Sequence, residues 1–177
     1  MKRKMVALLV RPAIFCAPVL LCLLFLWTGC SKKDDPGTGS AYYMRFKANG
    51  KQVEYKTGTQ AAFAGNSGLF DCLLAGFSSN SDLGITIFDH EDIRAGMTYD
   101  GEILSGTGTP MAAIVYQDEQ GNTYSSGNIS AYPDAAAEVV LSEIASGYVK
   151  GHFSGVVYND QTKIAITDGE FYLMRAN

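Results

Sequence analysis

The sequence has 177 residues with 14 basic and 18 acidic side chains, a formal net charge of −4. Residues 1–29 hold four of the basic residues and no acidic residue, so residues 30–177 carry a net charge of −8. This acidic balance argues against binding to nucleic acid or to anionic lipid, because both need a basic surface. The 148 residues from position 30 onward are enough for one domain with a hydrophobic core.

The N-terminal segment has the layout of a secretory signal peptide. Its basic residues, Lys2, Arg3, Lys4 and Arg11, precede an uncharged, largely apolar run at 13–28. This run of about 16 residues is shorter than the roughly 20 that a spanning helix needs. The pattern therefore predicts a cleaved leader over 1–29, and the alternative is an uncleaved N-terminal anchor.

The end of this leader resembles the lipobox of bacterial lipoproteins. In that motif small residues precede a cysteine that is acylated and becomes the new N-terminus, as in Thr28-Gly29-Cys30. Trp27 stands where the family usually has leucine. The following Ser31-Lys32-Lys33-Asp34-Asp35 is similar to the export signal of surface lipoproteins of Bacteroidota. The resemblance implies that Cys30 carries fatty acids such as palmitate and that the protein is in the outer membrane, facing outward; the alternative is a chance cysteine.

Residues 30–41 are predicted to be the lipidated cysteine and a flexible tether, since they are charged and then rich in Gly and Ser. Such a tether reaches at most roughly 35 Å, which would hold the domain at 42–177 close to the membrane. Within that domain Cys72 is the only cysteine, so no disulfide can form there. Its apolar neighbours predict a buried, inert thiol, and the alternative is a reactive nucleophile.

The domain shows the two-residue alternation of β-strands. Asn49-Gly50 has the residues of a type I′ turn and predicts a hairpin between Tyr43–Ala48 and Lys51–Lys56. Further strands are predicted at 71–78, 83–89, 97–99, 111–117, 148–158, 162–167 and 170–175, with a bulge at Asp168-Gly169. Residues 135–144 are ambiguous between helix and strand, although Val139-Val140-Leu141 favours a strand.

These elements predict an all-β fold, a single antiparallel β-sandwich of about ten short strands. The alternative is a closed, lipocalin-like β-barrel, because alternation is expected in both. Two stretches, 151–155 (GHFSG) and 164–171 (IAITDGEF), are similar to the C-terminal hairpin of small, largely uncharacterised lipoproteins of Bacteroidota. The resemblance implies an all-β domain at the cell surface, and it identifies no catalytic residue.

One side of the predicted strand 148–158 is a candidate binding face. It carries Tyr148, Lys150, His152, Ser154 and Tyr158. Tyrosine combines a flat apolar ring with a polar tip and suits contact with a sugar or a protein. Plain solvent exposure is the alternative. His152 and Ser154 share this face, but the sequence has no G-x-S-x-G elbow there, so we expect no acyl-transfer site.

The acidic stretch Asp89-His90-Glu91-Asp92, with Asp100 and Glu102 shortly after it, is a candidate for a cation. Carboxylates suit a hard cation, but the spacing of a calcium loop is absent and a single histidine is a poor zinc site. We therefore expect a solvated turn and no metal or other cofactor, with Asp89, His90 and Asp92 as a weak alternative.

The sequence thus favours a non-enzymatic binding or accessory module for an extracellular glycan or a partner protein. A structural or inhibitory lipoprotein without a small ligand is the second hypothesis. The third is a hydrolase that uses a cation held by Asp89, His90 and Asp92.

Overall fold

The computed structural model describes residues 41–66, 69–100, 111–160 and 162–176. The predictions for the leader, for Cys30 and for nearly all of the tether concern residues outside these ranges. The described chain is all-β, as predicted. None of its segments is a helix long and apolar enough to cross a membrane.

The described strands, in chain order, are β1 (Tyr43–Ala48), β2 (Lys51–Tyr55), β3 (Gln60–Asn66), β4 (Leu69–Phe77), β5 (Asp82–Asp89), β6 (Thr98–Tyr99), β7 (Met111–Gln117), β8 (Thr123–Ser125), β9 (Ala136–Ile144), β10 (Tyr148–Asn159) and β11 (Thr162–Ala176). Their order in the sheet is β2-β1-β11-β3-β4-β5-β7-β8-β10-β9-β6, and β10 also pairs with β11. The ambiguous stretch near 135–144 is the strand β9.

The last strand, β11, organises the sheet because its 15 residues exceed the length of any neighbour. One edge of β11 pairs with β10 from Tyr148 to Asn159. The other edge pairs first with β1 and then, through its last three residues, with β3. The β11–β3 pair is parallel, so the sheet is mixed and the prediction of a purely antiparallel one needs this correction.

The core lies between layers whose strands are not neighbours in the sheet. Phe46 on β1 is fully buried, and its ring lies 5.5 Å from Tyr116 on β7 and 5.8 Å from Phe153 on β10. β1 and β7 are separated by four strands in the sheet order, so the contact between Phe46 and Tyr116 crosses the core. This packing is consistent with the predicted sandwich.

Two backbone features confirm local predictions. Asn49 and Gly50 have φ angles of 48° and 83°, as a type I′ turn requires. Asp168 has a φ of 53°, and the pairing of β11 with both β1 and β10 shifts register beside it. The predicted bulge at Asp168-Gly169 is therefore present.

Candidate functional site

The candidate binding face occupies the outer side of β10, where its side chains alternate with the buried ones. Tyr148, Lys150 and Ser154 are half-buried and His152 is exposed. Tyr158 lies ten positions beyond Tyr148, about 33 Å away along an extended strand. The five predicted residues share one side of the strand, but they do not form one patch.

At the Tyr148 end, a cluster of four tyrosine rings forms around Tyr172 on β11. The ring centroid of Tyr172 lies 5.0 Å from that of Tyr42, 6.4 Å from Tyr43 and 5.2 Å from Tyr148. The Lys150 ammonium lies 4.9 Å from the Tyr148 centroid and 5.0 Å from that of Tyr172. We call these four tyrosines and Lys150 the tyrosine cluster.

The strand register brings this cluster together. Tyr43 on β1 pairs with Tyr172 on β11, and Tyr172 pairs with Lys150 on β10. Lys150 in turn pairs with Glu143 on β9, so four adjacent strands each contribute one residue to the same row. Cross-strand neighbours on one face of a sheet lie within side-chain contact, which is why the row becomes a cluster.

Two glutamates fix the edges of the tyrosine cluster. Tyr148 donates a hydrogen bond of 2.5 Å to Glu143 Oε1, and Lys150 Nζ lies 3.4 Å from Glu143 Oε2. Tyr43 donates a hydrogen bond to Glu170 Oε1. The hydrogen bond from Tyr148 lowers the pKa of Glu143, and the one from Tyr43 lowers the pKa of Glu170, so both carboxylates are ionised at neutral pH.

Arg45 extends this surface towards β2. Its guanidinium lies 5.0 Å from the centroid of Tyr43, and its Nη2 donates a hydrogen bond of 2.6 Å to Glu170 Oε2. Beyond it, β1, β2 and β11 line a polar hollow of about 590 Å³ that includes Lys47 and Asp168, an ion pair at 2.9 Å. The outer surface therefore carries aromatic and charged groups side by side.

Tyr158 belongs to a separate group at the other end of β10. Its ring stacks on Tyr132, with centroids 4.4 Å apart and planes inclined by 2°. The Tyr158 hydroxyl donates to Asp134, which also accepts from Lys163, both at 2.5 Å. The Tyr158 ring is thus covered by local partners. These contacts hold the segment before β9 against the hairpin β10–β11.

His152 and Ser154 point to the same side of β10, as predicted. In the described chain no hydrogen bond joins them, and the cross-strand neighbours are Glu170 for His152 and Glu138 for Ser154. Acyl transfer requires a nucleophile bonded to its base, with an oriented carboxylate and oxyanion donors. This arrangement does not supply them.

The acidic stretch does not assemble a cation site. Asp89 is the last residue of β5 and is only 4% exposed, and its Oδ1 accepts the amide N–H of Glu91 at 3.0 Å. His90 and Asp92 are exposed. Within the described ranges, no three His, Cys, Asp or Glu side chains come together as metal ligands.

The structure contains a further feature that the sequence did not predict, an open cleft of about 590 Å³ at one end of the sandwich. We call it the end cleft. It is lined by the hairpin β3–β4, the segment after β5 and the ends of β9 and β11: Phe63, Ala64, Gly65, Phe70, Asp71, Asp92, Ile93, Arg94, Ile144 and Arg175. These positions lie far apart in the sequence, so no local pattern marks them.

Cys72 lies in the core, as predicted. Its thiol is fully buried on β4, and burial raises its pKa to about 12. A thiol with this pKa is almost entirely protonated at neutral pH, whereas a nucleophilic cysteine needs the thiolate.

Comparison of the chain with protein-family models, with curated proteins and with solved structures found no match.

Proposed function

We propose that this chain is a non-enzymatic lipoprotein of the outer membrane that faces outward and binds a partner protein of the cell envelope. Acylation of Cys30 would provide the anchor, with more than one acyl chain for stable attachment. The short tether would keep the domain near the membrane, so the partner is another envelope component.

The tyrosine cluster is the observation that carries this proposal. Tyrosine and arginine are enriched at the centres of protein–protein interfaces, because they offer large contact areas with polar tips. Here hydrogen bonds to glutamates hold Tyr148 and Arg45 in place, and ring contacts hold Tyr172, so little side-chain entropy is lost on docking.

The ring geometry favours a protein over a glycan at this surface. Tyr172 meets Tyr148 edge to face at 84°, and Lys150 lies against both rings. A sugar platform needs an open ring face, whereas a protein partner can pack around edges and replace the lysine contacts. A glycan on the same surface remains the second candidate function, because the tyrosine rings also suit C–H contacts.

The test is a pull-down from native membranes with the full chain as bait, after mild cross-linking. Tyr172→Ala should abolish or strongly reduce the capture of a specific envelope protein. Tyr158→Ala, a tyrosine change on the same side of β10 but outside the cluster, should leave the capture unchanged. A glycan array with the same three proteins separates the two candidate ligands.

Three results would contradict the proposal. Equal capture by the wild type and Tyr172→Ala would remove the tyrosine cluster from the interaction. No specific capture and no glycan binding would favour the structural or inhibitory lipoprotein. Hydrolytic turnover that disappears in both His90→Ala and Asp92→Ala would favour the cation-dependent hydrolase.

A further inference from the structure

The end cleft has the size and the mixed lining of a small-ligand site. Its volume of about 590 Å³ falls within the range of roughly 300–1,000 Å³ that is usual for such sites. The end cleft and the tyrosine cluster share no residue, although Arg175 and Ile144 of the cleft are next in the chain to Met174, which pairs with Tyr148, and to Glu143.

The apolar part of the end cleft comes from half-buried side chains. Phe63 and Phe70 lie on the paired strands β3 and β4, and Ile93 and Ile144 are also half-buried. Phe70 packs over Gly65, where a Cβ atom would lie only 2.5 Å from the ring. The glycine therefore leaves the space that lets the Phe70 ring turn across its partner strand.

Arg175 supplies donors that are already oriented. Its guanidinium lies 4.7 Å from the Phe63 centroid, and its Nη1 donates a hydrogen bond of 3.2 Å to the carbonyl of Ala145. Arginine has five N–H donors, and this single bond leaves others for a ligand. Arg94, another residue of the lining, is paired with Glu91 at 2.5 Å.

The acceptors are the carboxylates of Asp71 and Asp92. Within the described residues no hydrogen bond is formed to either carboxylate. The two aspartates balance Arg94 and Arg175, so the lining has no net charge. An anionic ligand would be attracted by the two arginines and repelled by the two aspartates, and a cationic ligand would experience the reverse.

We propose that the end cleft binds a neutral sugar unit of a glycan. A sugar offers neighbouring hydroxyl groups that can donate to a carboxylate and accept from a guanidinium. Its C–H face packs against Phe70 and the isoleucines while the hydroxyls meet Asp71, Asp92 and Arg175. This site does not depend on the tyrosine cluster and adds a ligand to the proposed protein-binding role.

The test uses the full chain in a detergent without a sugar headgroup. The neutral probes are maltose, cellobiose, xylobiose and mannobiose; digalacturonic acid is the anionic probe and chitosan dimer the cationic one. Saturation-transfer NMR identifies the binders, and titration calorimetry gives the affinity. At least one neutral disaccharide should bind, and Asp71→Asn should weaken it by about tenfold or more.

Two variants serve as controls, and circular dichroism verifies that all three are folded. Asp168→Asn makes the same change in the polar hollow and should retain the affinity of the wild type, whereas Tyr172→Ala tests whether the sugar binds at the tyrosine cluster instead. The proposal is overturned if no neutral probe binds or if a charged probe binds at least as tightly. It is also overturned if Tyr172→Ala, and not Asp71→Asn, removes sugar binding.

Discussion

Replacing Gly151 by alanine tests how closely β9 and β10 approach each other behind the candidate face. A Cβ atom on Gly151 would lie 2.1 Å from the carbonyl oxygen of Val140 and 2.4 Å from the ring of Phe171. The Phe171 ring can turn, but the Val140 oxygen belongs to the backbone of β9. Since real contacts of this kind are not shorter than 3.0 Å, the strands must separate by about 1 Å.

Overpacking in a core costs about 1–3 kcal/mol, and a backbone obstacle puts Gly151→Ala near the upper value, about 3 kcal/mol. Gly84→Ala on β5 is the matched control, because no atom lies within 4 Å of its added Cβ. The control should be neutral or more stable by about 0.5–1 kcal/mol, since alanine restricts the unfolded chain. Urea unfolding followed by far-UV circular dichroism measures both. If Gly151→Ala is as stable as Gly84→Ala, the close approach of β9 and β10 described here is wrong.

Three further predictions concern the core. Cys72 should resist iodoacetamide at neutral pH in the folded chain and react fully in urea, as read by mass spectrometry of its peptide; labelling of the folded chain would contradict its burial. Phe46→Ala should cost about 3–5 kcal/mol in urea unfolding, whereas Phe77→Ala, at a side chain 47% exposed, should cost less than about 1 kcal/mol. Burial raises the pKa of Tyr55 to about 12 from 10.0, so its contribution to stability is complete below about pH 10 and is lost as the pH rises towards 12. Other tyrosines with raised pKa values, among them Tyr99 and Tyr116, lose stability in the same range, so the loss in Tyr55→Phe should be smaller than in the wild type by on the order of 2–3 kcal/mol in urea unfolding. An equal loss in both proteins would contradict the contribution of Tyr55.

Features set by neighbouring residues could be predicted from the sequence. Asn49-Gly50 specifies its turn because both residues tolerate a positive φ, and Asp168-Gly169 marks the bulge for a similar reason. The buried side of β10 follows from strict alternation at Val149, Phe153 and Val157. In each case the information lies within a few positions of the chain.

Features that depend on strand pairing could not be predicted. The sequence indicated Tyr148 and Lys150 but gave no reason to join them to Tyr43 and Tyr172, because that requires the register of four strands. The strand β3 was missed as well: its Gln60–Asn66 has small residues and weak alternation, and its pairing with β4 and β11 stabilises it. The end cleft was missed for the same reason, since its lining comes from five separate segments.

The position of β1 has a consequence for folding. Its neighbours in the sheet are β2, which follows immediately, and β11, whose Glu170 accepts a hydrogen bond from Tyr43 across 127 positions of sequence. During synthesis the first hairpin is therefore complete long before the strand that covers its open edge exists. Proteins dominated by such distant pairings fold in milliseconds to seconds rather than microseconds. The newly made polypeptide stays open to chaperones and proteases until its final strand docks.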